Sequence, residues 1–173
     1  QQIDYTNGKV SLNALCLFLS DKRGLNVQFV AADAEETRNY KIFGKIRFSP
    51  LQITVFQNDQ LTEERERFTL AHELGHLIMD HSKYMTGEYC EARDFEFENP
   101  ADLGLKDIMR MEWQANHFAS CLLLPKNQFL TDFFSIVEDI KLKNRGFGVI
   151  YLDNQNINIA NYRLVSSALM KQY

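Results

Sequence analysis

This sequence lacks a membrane span, a cysteine framework and an excess of positive charge. Its best apolar run, Leu12 to Leu19, is broken by Asn13 and followed at once by Asp21-Lys22-Arg23. That falls short of the roughly 18 residues a spanning helix needs. The same flanks exclude a secretory signal, which places basic residues before the apolar stretch and small residues after it. Cys16, Cys90 and Cys121 are three in number, with no Cys-x-x-Cys pair. Neither a disulfide scaffold nor a zinc ribbon can be built from them, and they read as reduced thiols of a cytoplasmic protein. Net charge is −4, from 19 Lys and Arg against 23 Asp and Glu. That balance argues against a general nucleic-acid-binding surface, and no helix-turn-helix is recognisable. Internal repeats and low-complexity tracts are missing as well.

What remains is an ordinary globular composition. Hydrophobic residues make up 45% of the 173 and charged residues 24%, enough to bury a core without staples. The chain begins with Gln1 and not Met, so the expectation is a piece of a longer protein, extending beyond both ends.

Hydrophobic spacing predicts an amphipathic helix over 9–20, closed by Gly24, and a strand over Asn26 to Ala31. Two more strands are expected, Lys45 to Phe48 and Gln52 to Phe56, around a turn at Ser49-Pro50. A helix from Glu63 to Met79 follows, with Thr62 as its N-cap. Residues 82–104 are rich in Asp and Glu and read as a long acidic loop. Further helices are expected over 106–124, stopped by Pro125, and over 127–143. A short strand over 149–152 and a final helix over 158–173 complete the reading.

The chemistry lies in residues 72–76, His-Glu-Leu-Gly-His. Positions i and i+4 of a helix share a face, so His72 and His76 can point two imidazoles at one metal ion. Zinc lowers the pKa of a water it holds to about 7, and Glu73 is placed to accept the proton as general base. With only 4 His in the chain, this pattern inside a predicted helix is a poor candidate for accident.

Catalytic zinc sites take three protein ligands and leave a fourth position open. The metzincin pattern fails here: Met79 and Ser82 stand where its glycine and histidine would be, and His81 is one position early. A thermolysin-like site takes a Glu from a following helix. Glu112 fits, with Asn116 one turn later among Ile108, Met111, Ala115, Phe118 and Ala119. A polar pair on an apolar element is informative. Asn116 is expected to hydrogen-bond the far side of a metal-binding imidazole. His117 should face elsewhere, at about 140° from Glu112 around the helix. The acidic loop offers Glu91, Asp94, Glu96 and Glu98, but nothing there fixes geometry. Tyr84, Tyr89, Arg93 and Arg163 are candidates for stabilising the oxyanion of peptide hydrolysis. The strand at Gln52 to Phe56 could pair with an extended substrate, or be a plain sheet strand.

Two blocks carry a family resemblance. Arg67-Phe68-Thr69-Leu70-Ala71-His72-Glu73-Leu74-Gly75-His76 resembles the signature of the ImmA/IrrE metallopeptidases. Glu112-Trp113-Gln114-Ala115-Asn116-His117-Phe118-Ala119, closing at Leu122-Leu123-Leu124-Pro125, is similar to that family's second block. The resemblance covers roughly residues 40–130, and the tail from Tyr151 to Leu169 is similar to a C-terminal segment of some members.

The resemblance implies an α+β fold with a small zincin-like core. A short mixed sheet would pack on an active-site helix and a second ligand-bearing helix, with a helical C-terminal part. It implies His72, His76 and Glu112 as ligands of one Zn2+ per chain, and Glu73 as general base. Residues 1–143 would form the metallopeptidase domain, and 144–173 a short strand-and-helix appendage. Several relatives are cytoplasmic proteins that cleave a helix-turn-helix repressor, on mobile elements or under stress; others sit beside toxin–antitoxin genes. The function implied is a zinc-dependent endopeptidase acting on a protein partner of that kind, with neither direct nucleic-acid binding nor membrane association. The alternative is a zinc-binding interaction or signalling module with little intrinsic proteolysis.

Overall fold

Ser11 accepts a hydrogen bond from the Ala14 backbone N–H at 3.2 Å and starts the first long helix, α1 (Leu12–Arg23). Gly24, at φ 69°, closes it by donating its N–H to Leu19 and Ser20. The structure, a computed structural model, describes residues 5–6, 9–31, 42–57, 62–85, 87–91, 105–144 and 146–173. Residues 92–104, most of the expected acidic loop, lie outside them.

Contacts divide the chain into two compact units. One holds Ser11–Leu123; the other holds Tyr5–Val10 and Leu124–Tyr173. The first unit is built on a four-stranded mixed sheet. Its strands are β3 (Asn26–Ala31), β4 (Ile42–Phe48), β5 (Leu51–Gln57) and β6 (Gly87–Glu91), in the order β3-β5-β4-β6. β5 runs parallel to β3, with Ile53 opposite Val27, and antiparallel to β4, with Ile53 opposite Ile46. β4 and β5 join in a hairpin through Ser49-Pro50, a cis peptide. β6 pairs antiparallel with β4. This corrects the reading of the acidic stretch as loop throughout: part of it is an edge strand.

β5 is an interior strand, with a neighbour on each side, and Ile53 and Val55 are fully buried. Its backbone groups are taken, so a substrate cannot add to it.

Thr62 accepts from the Arg65 N–H at 3.3 Å and starts α2 (Glu63–Ile78). Glu63, Glu64 and Glu66 fill its first turn, where the helix dipole favours acids. α2 lies between the sheet, against β4 and β5, and the next long helix, α3 (Leu105–Leu123). All nine residues from Thr69 to Leu77 are buried. After α2, Asp80 takes a left-handed conformation, φ 57°, and leads into a 3-10 turn, His81–Lys83.

In the second unit, β1 (Tyr5–Thr6) pairs with β2 (Lys9–Val10), and α4 (Lys126–Asp139) packs with α5 (Asn156–Gln172). Phe129 meets Tyr173, ring centroids 5.7 Å apart, and the Tyr173 hydroxyl donates to Asp132 at 2.6 Å. α4 ends short of the expected Lys143, because Lys141 turns left-handed at φ 54°. Residues 149–152 form no strand. Asn144 Oδ1 accepts from the backbone N–H groups of Gly146 and Gly148, and Asp153 Oδ1 from that of Gln155. Local side-chain-to-backbone bonds of this kind compete with ladder pairing.

Candidate metal centre

The site grows from one turn of α2. Four residues apart, His72 and His76 stack on the same face, with their rings 4.8 Å apart and their Nε2 atoms separated by 3.0 Å. α3 brings Glu112 onto the pair: Oε2 lies 3.1 Å from His72 Nε2, and Oε1 lies 3.3 Å from His76 Nε2. Both imidazoles are fully buried, and Glu112 is 8% exposed.

Gly75 makes that approach possible. A Cβ at Gly75 would sit 3.1 Å from the Ala115 Cα and carbonyl oxygen and 3.2 Å from Phe118 Cδ1. A glycine facing an alanine lets the two helices close until Glu112, one turn before Ala115, reaches the histidines. β4 makes a matching approach from the other side. A Cβ at Gly44 would come within 2.5 Å of Thr69 Cγ2 and 3.0 Å of Glu73 Oε1. Glu73, fully buried, therefore lies against β4 backbone that carries no side chain there.

The outer nitrogens of the two imidazoles are held as well. Asn116 Oδ1 stands 3.0 Å from His72 Nδ1, the contact expected of it. An amide oxygen only accepts, so Nδ1 carries the proton and His72 Nε2 presents its lone pair inward. On His76 the outer contact is to His81, Nδ1 to Nδ1 at 2.8 Å, and His81 Nε2 lies 3.1 Å from Gln114 Oε1.

The donor set fits a metal ion. A lone pair of His72 and the Glu112 carboxylate face each other at close range, which is repulsive unless a cation or a proton lies between them. Four ligands at zinc's ordinary bond length of about 2.0–2.1 Å lie about 3.3 Å from one another in a tetrahedron. The spacings here are 3.0, 3.1 and 3.3 Å. Burial pushes the Glu112 carboxyl up, but hydrogen bonds and charge from His72 and His76, when they carry a second proton on Nε2, outweigh it and hold the group at about 2. Burial lowers His76, with Glu112 opposing and the neighbouring His72 and His81 adding to the fall. His81 is lowered by burial too, against the pull of Gln114 and Glu112. A carboxylate that stays ionised beside a His76 that gives up its extra proton readily is the protonation state a metal requires.

Among the described residues no further His, Cys, Asp or Glu joins the cluster. His117 stacks on Trp113, rings 5.1 Å apart and 4° from parallel, and its Nε2 is 3.7 Å from Cys121 Sγ. Tyr84 is 78% exposed, and Arg163 belongs to the second unit. Arg93, Asp94, Glu96 and Glu98, and the side chains of Tyr89 and Glu91, lie outside the described residues. Sequence reasoning missed His81, Gln114, Gly44 and Gly75. Only Gly75 left a signal, a glycine inside a helix that should resist it.

A peptidase family model, described as the IrrE N-terminal-like domain, matches residues 22–153. The chain belongs to that family. No curated protein gives a significant match. As a member of this peptidase family, the chain has a metallopeptidase-type function, and its buried His72, His76 and Glu112 could hold a metal ion. Among the described residues no helix is long and apolar enough to cross a membrane.

Proposed function

We propose that this chain is a zinc-dependent endopeptidase, with one zinc held by His72, His76 and Glu112. Its substrate would be a cytoplasmic protein, a helix-turn-helix repressor or antitoxin-like regulator. The observation that carries the metal reading is the convergence of two imidazole Nε2 atoms and a carboxylate at 3.0–3.3 Å in a buried setting. Two nitrogens and one oxygen are the catalytic zinc set, and three protein ligands leave a fourth position open. The substrate class rests on the family resemblance alone.

When bound, the ion supplies Lewis acidity toward water and the scissile carbonyl. The chain's own residues do the rest. His72, His76 and Glu112 give a neutral-plus-anionic donor set that leaves the site one net positive charge with a divalent ion. Asn116 holds the His72 ring in one orientation. Glu73, next to His72 in the helix, takes the proton from the attacking water and delivers it to the departing amine nitrogen. The closed contact between Gly44 and Glu73 keeps that carboxylate away from bulk water, so its proton is exchanged with the reactants.

The test is metal content per chain, measured for the wild type, Glu112→Ala and Glu73→Gln. One zinc is expected in the wild type, little in Glu112→Ala and one in Glu73→Gln. New protein N-termini should appear in cells expressing the wild type and not in cells expressing Glu73→Gln. A wild type that stays empty after zinc is added back would sink the metal reading. Zinc bound with identical N-termini in both cells would make the domain an interaction module.

A further inference from the structure

We propose that His81 is a positioning residue: held by Gln114, it accepts the Nδ1 proton of His76 and so fixes the His76 Nε2 lone pair toward Glu112 and His72. This deepens the metal-site reading above and rests on it.

The argument follows one chain of hydrogen bonds. Gln114 turns its carbonyl oxygen to His81 Nε2 at 3.1 Å. A carbonyl can only accept, so His81 Nε2 carries a proton. A neutral imidazole has a single N–H, and His81 Nδ1 is therefore an acceptor. The atom it meets, at 2.8 Å, is His76 Nδ1. One of the two must donate, and it is His76. With its proton on Nδ1, His76 presents a bare Nε2 to the cluster.

The reverse assignment is self-defeating. A proton on His81 Nδ1 would leave its Nε2 lone pair against the Gln114 oxygen, and would place the His76 proton on Nε2. That proton would occupy the place where a ligand lone pair is needed. The cost falls on His81: at 2% exposure its Nε2 lone pair could not turn from the Gln114 oxygen to water, whereas a proton on His76 Nε2 would meet Glu112 Oε1 at 3.3 Å and stand where the ion belongs.

His81 thus does for His76 what Asn116 does for His72. The two supports differ in origin. Asn116 is on α3, one turn beyond Glu112. His81 is on the chain just after α2, and reaches back because Asp80 takes the left-handed turn at φ 57° that folds the segment against the helix it has left. The ring–ring geometry, centroids 4.9 Å apart and 70° between planes, is that of an in-line bond between nitrogens rather than of stacking. Gln114 closes the relay from α3, two residues past Glu112. One stretch of α3 therefore supplies a ligand and the outer support of both imidazoles.

The variants that test this are His81→Leu, which keeps bulk and removes the acceptor, and His81→Asn, whose Oδ1 can replace Nδ1. Gln114→Leu is the second, more exposed site. The first readout is zinc affinity by chelator competition. His81→Leu should bind about 10- to 100-fold more weakly, as loss of such outer partners does elsewhere. His81→Asn should stay within about threefold of the wild type. Gln114→Leu should fall between them. The second readout is the long-range 1H–15N correlation of the His76 ring in the metal-free chain. It should show the Nδ1–H form in the wild type and in His81→Asn, and a mixture in His81→Leu. The proposal is overturned if His81→Leu, folded by circular dichroism, binds zinc like the wild type, or if His81→Asn is as weak as His81→Leu. It is also overturned if the wild-type His76 is the Nε2–H form. A wild type that binds no zinc would instead overturn the metal-site reading beneath it, and the ring correlation would still decide the tautomer.

Discussion

The two compact units treat their apolar residues differently. The unit that carries the histidines buries Ile53, Val55, Ala71, Leu74, Ala115 and Ala119 completely. The other buries Val10, Val137 and Val165, and leaves Phe134, Phe147, Leu152, Ile157, Leu164 and Met170 more than half exposed. Buried polar groups explain the contrast. His72, His76, Glu73 and Glu112 are each costly to remove from water. Only a densely packed frame, with every neighbour fixed, can hold them at ligand distances. Among its described residues the second unit has no such group to hold, and it is packed by α4–α5 contacts and the Tyr173–Asp132 bond.

If that is the difference, equal truncations should have unequal effects. Leu74→Ala, in the fully packed frame, should destabilise by about 2–5 kcal/mol and weaken metal binding with it. Thermal unfolding with and without zinc measures both. Gly75→Val should cost about 3 kcal/mol by pushing α3 off α2, and zinc affinity should fall more than stability, because the contact it breaks sets the position of Glu112. Equal losses would mean that the helix contact is structural only.

The metal-free chain should also be sensitive to acid through the first unit. His76 and His81 bind protons more weakly in the fold than their ordinary 6.5, so the unfolded chain takes up protons first. Stability from these groups is complete above pH 6.5 and falls as pH drops below it. Glu112, at about 2 against an ordinary 4.5, adds a contribution present above 4.5 and lost as pH falls toward 2. All three act in one direction. The melting temperature in a chelator should therefore decline steadily from pH 7 to pH 4, and a flat profile would contradict the assignment.

The smallest effects belong to the second unit. Tyr173→Phe removes one hydroxyl-to-carboxylate bond near the surface and should cost about 1 kcal/mol or less. Met170→Ala, at a 79% exposed position, should stay within about 0.5 kcal/mol. A large loss at Met170 would break the comparison.

The sequence made the short-range part of this legible. His72 and His76 share a face by helical repeat alone, and Glu112 with Asn116 stood out as a polar pair in an apolar helix. Three of the sheet's four strands and the helices followed from periodicity and from Thr62 and Gly24, and the mixed sheet from the family resemblance. His81 was weighed only as a third ligand and rightly set aside, and its place beside His76 went unseen. Counting residues from His76 tests only a continuing pattern, and the left-handed Asp80 that turns the chain back is a single-residue event with no periodic signature. β6 was hidden because Gly87-Glu88-Tyr89-Cys90-Glu91 pairs on one edge and has no alternating apolar pattern. The run Val149 to Leu152 shows the opposite failure. It has strand-forming residues, but the bonds made by Asn144 and Asp153 turn the backbone first.

Of the three residues in the cluster, only Glu112 has any exposed surface, and it is not at the carboxylate: both of its oxygens are buried, as both imidazoles are. Exchange of an ion therefore needs a side chain to move, and Glu112, the one residue of the three with a surface to swing toward, would move before either nitrogen lets go. Residence time and equilibrium affinity are then separately adjustable. Changes around Glu112 on α3 would alter how fast the site fills and empties, and changes beneath the histidines would alter how tightly it holds. A metal bound in this way is an internal part on the timescale of catalysis, even where the surrounding supply fluctuates.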